Sequence, residues 1–546
     1  MSGVETVSML TRDGVRLDAD VYRPKTRAEC PVLLMRQPYG RKIASTVTYA
    51  HPSWYAARGY LVVIQDVRGR GTSEGEFIPF VHESEDGYDS VEWAARLPGA
   101  NGRVGMYGFS YQGMTQLYAA AAQPPSLRAV CPAMIGYDLE RDWAYEGGAF
   151  RLQSNLAWAV QLGAEAARRK GDEDSFLAFA RAAKSLPLTE ANPPMPAALE
   201  RHLSSSQYRE WIDRELDQEY WDKLSPRHHL AGTDLPMFHI GGWYDSFLSG
   251  TLSCYRALAG RCHSPQQLLI GPWSHLAWGR RVGDLDFGAQ ALSPVDQLQL
   301  DWFDHFLAER ADPPPPESTV RLFELGSNRW RAFAGWPRPS STRLYIGSSG
   351  LAAMRSDEGR LEPAAPSSDC EDAFVHDPWR PVPSIGGHAG FGAGPVDRSA
   401  IDERSDVLVY TTRPFVADTS FAGEVEAHLW STADTQSFDL CVVLSEVLSD
   451  GRVYPITQGH LRVRKHQGVQ CHVVQMRAMS ARIASGNALR LSVSAANFPA
   501  HDINPGTGAT LAESRLAHQQ VITVRVLGGA GHPSHVRLPL LDQRST

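Results

Sequence analysis

An α/β fold carrying an inserted helical block, followed by an all-β region, is what this 546-residue sequence predicts. Three patterns predict it. Compact apolar runs alternate with amphipathic stretches up to about residue 140. Strand-like runs then nearly vanish before resuming, and short β-like runs fill the chain beyond Glu317. A chain this long exceeds one ordinary core, so two or three domains are expected.

Taken in order, Val15–Tyr22 alternates apolar and polar residues, as a half-buried antiparallel strand does. The runs Val32–Met35, Leu61–Ile64 and Val104–Met106 are apolar throughout and suit strands covered on both faces by helices. Between them, Ser84–Arg96 sets Val91, Trp93 and Ala94 among acids and reads as an amphipathic helix. From Asp142 to Thr233 the helical stretches are Leu152–Arg169, Glu173–Lys184, Ala197–Ser206 and Ser206–Leu216. Strands return at Met237 and Leu268, so the helical block reads as an insertion, with a cap over the site the natural role. Asp296–Glu309 predicts a last helix, and Pro313–Pro316 a linker. Beyond it, about ten short runs broken by Gly, Pro and Asp, from Val320–Leu325 to Val536–Leu538, suggest a β-sandwich, a jelly roll in form. The expected division is a first α/β part over 1–141, a cap over 142–233, a second α/β part over 234–316 and the sandwich over 317–546.

Composition narrows the function. With 43% hydrophobic and 21% charged residues the chain is ordinary for a globular protein, and its net charge of −8 provides no basic stripe for a phosphate backbone. Nucleic acid is therefore not an expected partner. No apolar stretch approaches the ~20 residues that cross a bilayer, so no membrane partner is expected either. The start, Met-Ser-Gly-Val-Glu-Thr-Val, lacks a basic and apolar leader, and the seven cysteines form no CxxC pair. Reduced thiols in a cytoplasmic protein follow, with no metal site. The glycine-rich Gly386–Gly394 lies outside any phosphate-binding strand-to-helix unit, and no cofactor is expected.

Three segments each end an apolar run: Val104–Gly113 with Ser110, Met237–Asp245 with Asp245, and Leu268–His275 with His275. A hydroxyl is a poor nucleophile until an imidazole takes its proton, and the imidazole needs a carboxylate to orient it. Serine, acid, histidine is the chain order of α/β-hydrolases. Read alone, Ser110 also fits an ordinary helix N-cap, Asp245 fits the cap of a helix over Ser246–Ala257, and His275 is one of 19 histidines. The ordered set distinguishes them. Gly108 and Gly113 suit a sharp strand-to-helix turn, which would aim the Tyr111 amide at a developing oxyanion. The loop Arg36–Gly40 is where a second donor belongs, and the Tyr39 hydroxyl could supply it; a packed tyrosine beside Pro38 accounts for the residue equally well.

With these segments in view, the chain resembles the cocaine esterase-like hydrolases of the X-Pro dipeptidyl-peptidase (S15) family. The resemblance runs nearly end to end. It rests on Met9–Asp18, Gln65–Arg70 with Ser73–Phe77, the three segments above, Asn497–Pro499 and His532–His535. The Gly-x-Ser-Tyr-x-Gly turn is usual in that family. The resemblance implies an α/β-hydrolase domain with an inserted helical cap, followed by an all-β jelly-roll domain. It also implies Ser110 as nucleophile, His275 as base and Asp245 as its partner, with the Tyr39 hydroxyl and Tyr111 amide as the oxyanion hole. Trp143, Trp158, Phe247 and Phe391 fall where that family lines an acyl pocket, although core tryptophans of a cap explain the first two equally well. The α-amino-acid ester hydrolases of the same family carry acids just after the catalytic acid. Here that stretch is Ser246-Phe247-Leu248, which disfavours a substrate ammonium.

The expected activity is cleavage of a small-molecule ester with an apolar or aryl acyl group. The alternatives are an amide hydrolase, either acylase or X-Pro dipeptidyl-peptidase-like, or an acyltransferase on the same triad. More remote is a non-catalytic carbohydrate-binding protein. Assembly as a homodimer is left open.

Overall fold

In the computed structural model, the described residues are 4–25, 28–43, 46–190, 192–204, 206–308 and 320–541. The Pro313–Pro316 linker and the end of the helix expected at Glu309 lie outside them.

Ten strands form the first sheet: β1 (Glu5–Leu10), β2 (Arg16–Tyr22), β3 (Cys30–Gln37), β4 (Leu61–Asp66), β5 (Ala100–Phe109), β6 (Leu127–Ala133), β7 (Met237–Tyr244), β8 (Gln266–Ser274), β9 (Val320–Glu324) and β10 (Arg329–Phe333). Their spatial order is β1-β2-β4-β3-β5-β6-β7-β8-β9-β10. From β4 to β9 every pairing is parallel; β1–β2, β2–β4 and β9–β10 are antiparallel. Every residue of β3, β4, β7 and β8 is buried, as unbroken apolar runs covered on both faces require. Helices α1 (Glu83–Ala94), α2 (Tyr111–Ala122), α8 (Leu248–Ala259) and α9 (Val295–Phe306) accompany this sheet.

Between β6 and β7 the chain leaves the sheet for α3 (Leu152–Lys170), α4 (Glu173–Lys184), α5 (Ala197–Leu203), α6 (Gln207–Asp213) and α7 (Gln218–Leu224). Asp172 caps α4 by accepting from the Ser175 amide, and Asp217 caps α7 by accepting from the Tyr220 amide. A π-helical turn, Leu139–Ala144, and a small hairpin of Tyr145–Glu146 with Ala149–Phe150 lead into this block.

Past β10, thirteen strands join in one antiparallel-rich network, its longest pair being Phe438–Val447 with Val453–Val463. The first strand expected in the sandwich region, Val320–Leu325, and a following strand that was not expected lie elsewhere. Residues 320–324 pair in parallel with β8, and 329–333 fold back on them, so both extend the first sheet. Their apolar side chains satisfy either sheet, and only the available parallel edge of β8 decides between them.

Candidate active site

Ser110, Asp245 and His275 each follow immediately after a parallel strand: β5, β7 and β8. They therefore share the carboxyl rim of the sheet, where ligands of open α/β folds bind. Only β6 separates β5 from β7, and β7 adjoins β8.

The turn that carries Ser110 is built around its backbone. Ser110 has φ +59° and ψ −128°, a conformation that costs a non-glycine residue about 1–3 kcal/mol and is held only by its surroundings. Its amide donates to the Ala133 carbonyl on β6, and its own carbonyl accepts from the Gly113 and Met114 amides of α2. Gly108 adopts φ +139°, and Gly113 lies so close to the end of β6 that a Cβ there would meet the Ala133 carbonyl oxygen at 2.8 Å. Gln116 Nε2 donates to the Gly108 carbonyl at 3.0 Å, while its Oε1 accepts from the Cys131 amide, binding helix and strands across the turn.

Tyr111 opens α2, so its amide is one of the helix's first N–H groups, which lack a carbonyl partner inside the helix. Its side chain points away into the core. The hydroxyl donates to Glu83 Oε1 at 2.8 Å and accepts from the Phe80 amide, and Glu83 in turn pairs with Arg36 at 2.8 Å. This buried chain ties the start of α1 to the start of α2.

Asp245 is fully buried, and its Oδ1 accepts from His275 Nδ1 at 2.8 Å. A carboxylate only accepts, so this contact puts the proton on Nδ1 and leaves Nε2 as the basic nitrogen. The imidazole is 27% exposed and packs against Phe109, the neighbour of Ser110, with ring centroids 5.4 Å apart. Tyr39, on the loop after β3, is partly buried, and its hydroxyl oxygen accepts from Trp158 Nε1 at 3.1 Å. Burial pushes its phenol up to about 12, against smaller opposing pulls from the Trp158 N–H, the Arg70 charge and the nearby Ser110 hydroxyl. It keeps its proton at neutral pH and is available as a donor.

Three of the four expected pocket aromatics form one cluster. Phe247 lies 5.0 Å from the His275 ring and 4.5 Å from Trp143, which lies 5.3 Å from Trp158. Phe391 stands apart: the residue is 62% exposed, its ring has no ring partner among the described residues, and its amide donates to Gln153 Oε1 of α3. Phe80 completes the cluster, 5.2 Å from Trp143 and 4.9 Å from Tyr111. Nothing in the sequence marked Phe80, because it sits in a loop with φ +72° rather than in a periodic element.

The family model for X-Pro dipeptidyl-peptidase (S15 family) matches residues 13–277, and that for the X-Pro dipeptidyl-peptidase C-terminal non-catalytic domain matches residues 315–537. The chain is 31% identical to the cocaine esterase of Rhodococcus sp. (strain MB1 Bresler), with 99% of each chain covered. Among solved structures, an aminopeptidase from a marine sediment archaeon aligns with a TM-score of 0.84 at 24% identity, over 99% of this chain and 96% of that one. An α-amino acid ester hydrolase aligns with a TM-score of 0.81 at 23% identity, over 98% of this chain and 96% of that one. These two likenesses establish the shared fold.

Proposed function

This chain belongs to the X-Pro dipeptidyl-peptidase (S15) family and is a hydrolase of its serine esterase kind, and on that premise we propose that it cleaves a carboxylic ester with an apolar or aryl acyl group through an acyl-enzyme on Ser110. The observation that carries the reading is the 2.8 Å Asp245–His275 bond, set against the residue that precedes a strained, turn-borne serine.

In the first half-reaction the Ser110 hydroxyl oxygen attacks the ester carbonyl carbon and its proton passes to His275 Nε2. The carbonyl oxygen becomes an oxyanion that accepts from the Tyr39 hydroxyl and the Tyr111 amide. The tetrahedral intermediate collapses, the C–O bond to the alcohol breaks, and the leaving alkoxide takes the proton from His275. Water then repeats the sequence on the acyl-enzyme, giving a carboxylic acid and free Ser110. Buried Asp245 stabilises the imidazolium in both halves.

Trp143, Trp158, Phe247 and Phe80 support an apolar or aryl acyl group, because flat rings bury large area with defined geometry. The stretch Ser246-Phe247-Leu248 has no carboxylate to hold a substrate ammonium, which weighs against amino-terminal recognition. The seven cysteines are free thiols, and no helix among the described residues is long and apolar enough to cross a membrane.

A fluorophosphonate probe tests the nucleophile, and paired 4-nitrophenyl esters and 4-nitroanilides test the bond cleaved. Labelling should map to Ser110 and vanish in Ser110→Ala, with ester turnover lost and the fold retained. Substantial residual turnover in Ser110→Ala removes that residue from the mechanism. Faster anilide than ester cleavage assigns the site to amides.

A further inference from the structure

The loop bearing Asp245 is gripped from behind by charged side chains that the mechanism does not use. Arg477, between the strands Gln470–Gln475 and Met479–Ile483 of the C-terminal region, donates from Nη1 to the Asp245 carbonyl and from Nη2 to the Ser246 carbonyl, each at 2.7 Å. Arg151, just before α3, donates from Nη1 to the same Ser246 carbonyl at 2.7 Å and to the Asp142 carbonyl at 2.8 Å. Glu146 lies between the two guanidiniums, 3.3 Å from Arg151 Nη2 and 3.5 Å from Arg477 Nη2. It also accepts from His388 Nε2 at 2.9 Å and from His501 Nε2 at 3.4 Å. None of these five side chains is more than 12% exposed. The cap hairpin, the glycine-rich loop and the β-rich region thus converge on the two peptide carbonyls of the acid loop.

The carboxylate itself explains why this grip matters. Asp245 Oδ1 holds His275, but Oδ2 is buried with no hydrogen-bond partner among the described residues. A triad acid steered by its second oxygen would carry its aim in the side chain. Here the aim rests on the backbone that bears it. A planar guanidinium bound to two successive carbonyls restrains rotation of the peptide between them, and charge-assisted bonds of this kind are stronger than neutral ones.

We propose that Arg477 is a positioning residue for Asp245, acting through the Asp245 and Ser246 carbonyls, so that the C-terminal β-rich region takes part in aligning the catalytic acid. The inference rests on the triad reading above. A buried ionic cluster is by itself weak evidence of function, because such clusters also serve folding. The distinguishing property is that a positioning effect vanishes once there is no carboxylate left to position.

The test is a double-mutant cycle in the full-length protein. Arg477→Met and Arg477→Lys are each made alone and with Asp245→Asn, and steady-state kinetics are measured on 4-nitrophenyl butyrate after thermal melting has verified folding. Arg477→Met should lower kcat about tenfold with KM nearly unchanged, as a small misplacement of a catalytic group does. Arg477→Lys retains the charge without the fork and should fall between it and the parent. With Asn at 245, neither substitution should change kcat by more than about twofold. An equal loss in both backgrounds, a change in KM alone, or an unaltered kcat overturns the proposal. If Arg477→Met does not fold, the Arg477→Lys arm of the cycle decides by the same criteria. If Asp245→Asn alone leaves kcat intact, the triad reading itself fails, which is a separate outcome.

Discussion

The proposed role of Tyr39 as an oxyanion donor rests on one hydrogen bond. Beside a proline, the residue type is equally consistent with packing and with catalysis. The Trp158 indole N–H, 3.1 Å away, occupies an acceptor position on the phenol oxygen and leaves the hydroxyl proton for another partner. Burial keeps that proton in place, so the phenol is a neutral donor next to Ser110. Tyr39→Phe should therefore reduce kcat about 10²–10³-fold with little change in melting temperature, the usual loss for one oxyanion donor. Trp158→Phe keeps a ring but removes the N–H; its smaller expected loss, roughly five- to tenfold, corresponds to about 1 kcal/mol for one hydrogen bond. An unchanged rate in Tyr39→Phe would return the residue to packing. Ser110, Asp245 and His275 were legible because each ends an apolar run. Arg477 was not: it lies 232 residues from Asp245 along the chain and carries no motif.

At the scale of elements, the turn that bears Ser110 depends on how closely α2 approaches β6. A methyl group at Gly113 would sit 2.3 Å from Ile135 Cγ2 and 2.8 Å from the Ala133 carbonyl, and neither can retreat inside a packed sheet. Gly113→Ala should cost about 1–3 kcal/mol of stability by overpacking and should depress turnover by tilting the start of α2. Thermal melting and ester kinetics on one preparation check both; a wild-type melting temperature would mean the helix can give way. The same close approach explains what could be read and what was hidden. β3 and β4 show as strands because each contains an unbroken apolar run, Val32–Met35 and Leu61–Ile64. β6 was missed because Arg128 and Pro132 interrupt Leu127–Ala133, and proline in a mid-sheet strand argues against one.

Across the whole molecule, buried imidazoles set the response to acid. Burial lowers His239, His472 and His501 to about 4 and His388 to about 3. In the unfolded chain each returns to the ordinary value of about 6.5. Between these values the unfolded state binds more protons, so stability rises with pH there and is lost as pH falls from about 6.5 toward 4. His460 acts in the opposite sense: burial alone would lower it, but the Asp439 carboxylate 3.0 Å away raises it to about 10, so its contribution is lost as pH rises from 6.5 toward 10. Urea unfolding should accordingly show lower stability at pH 5 than at pH 7, because four imidazoles act in that sense and His460 alone among these five opposes them. A flat profile would mean that those imidazoles reach solvent in the native state.

Residue order alone determined that this chain forms a parallel α/β sheet with a helical insertion and a β-rich end, and that a serine, an acid and a histidine each follow the end of a parallel strand. Those facts are local, because apolar period and strand-ending position are properties of short segments. Tertiary structure decided which sheet residues 320–333 would join, which aromatics would gather around His275, and that Arg477 would reach the acid loop. Each of those contacts depends on the free edges and gaps left once distant segments have packed, and no short stretch of chain contains that information.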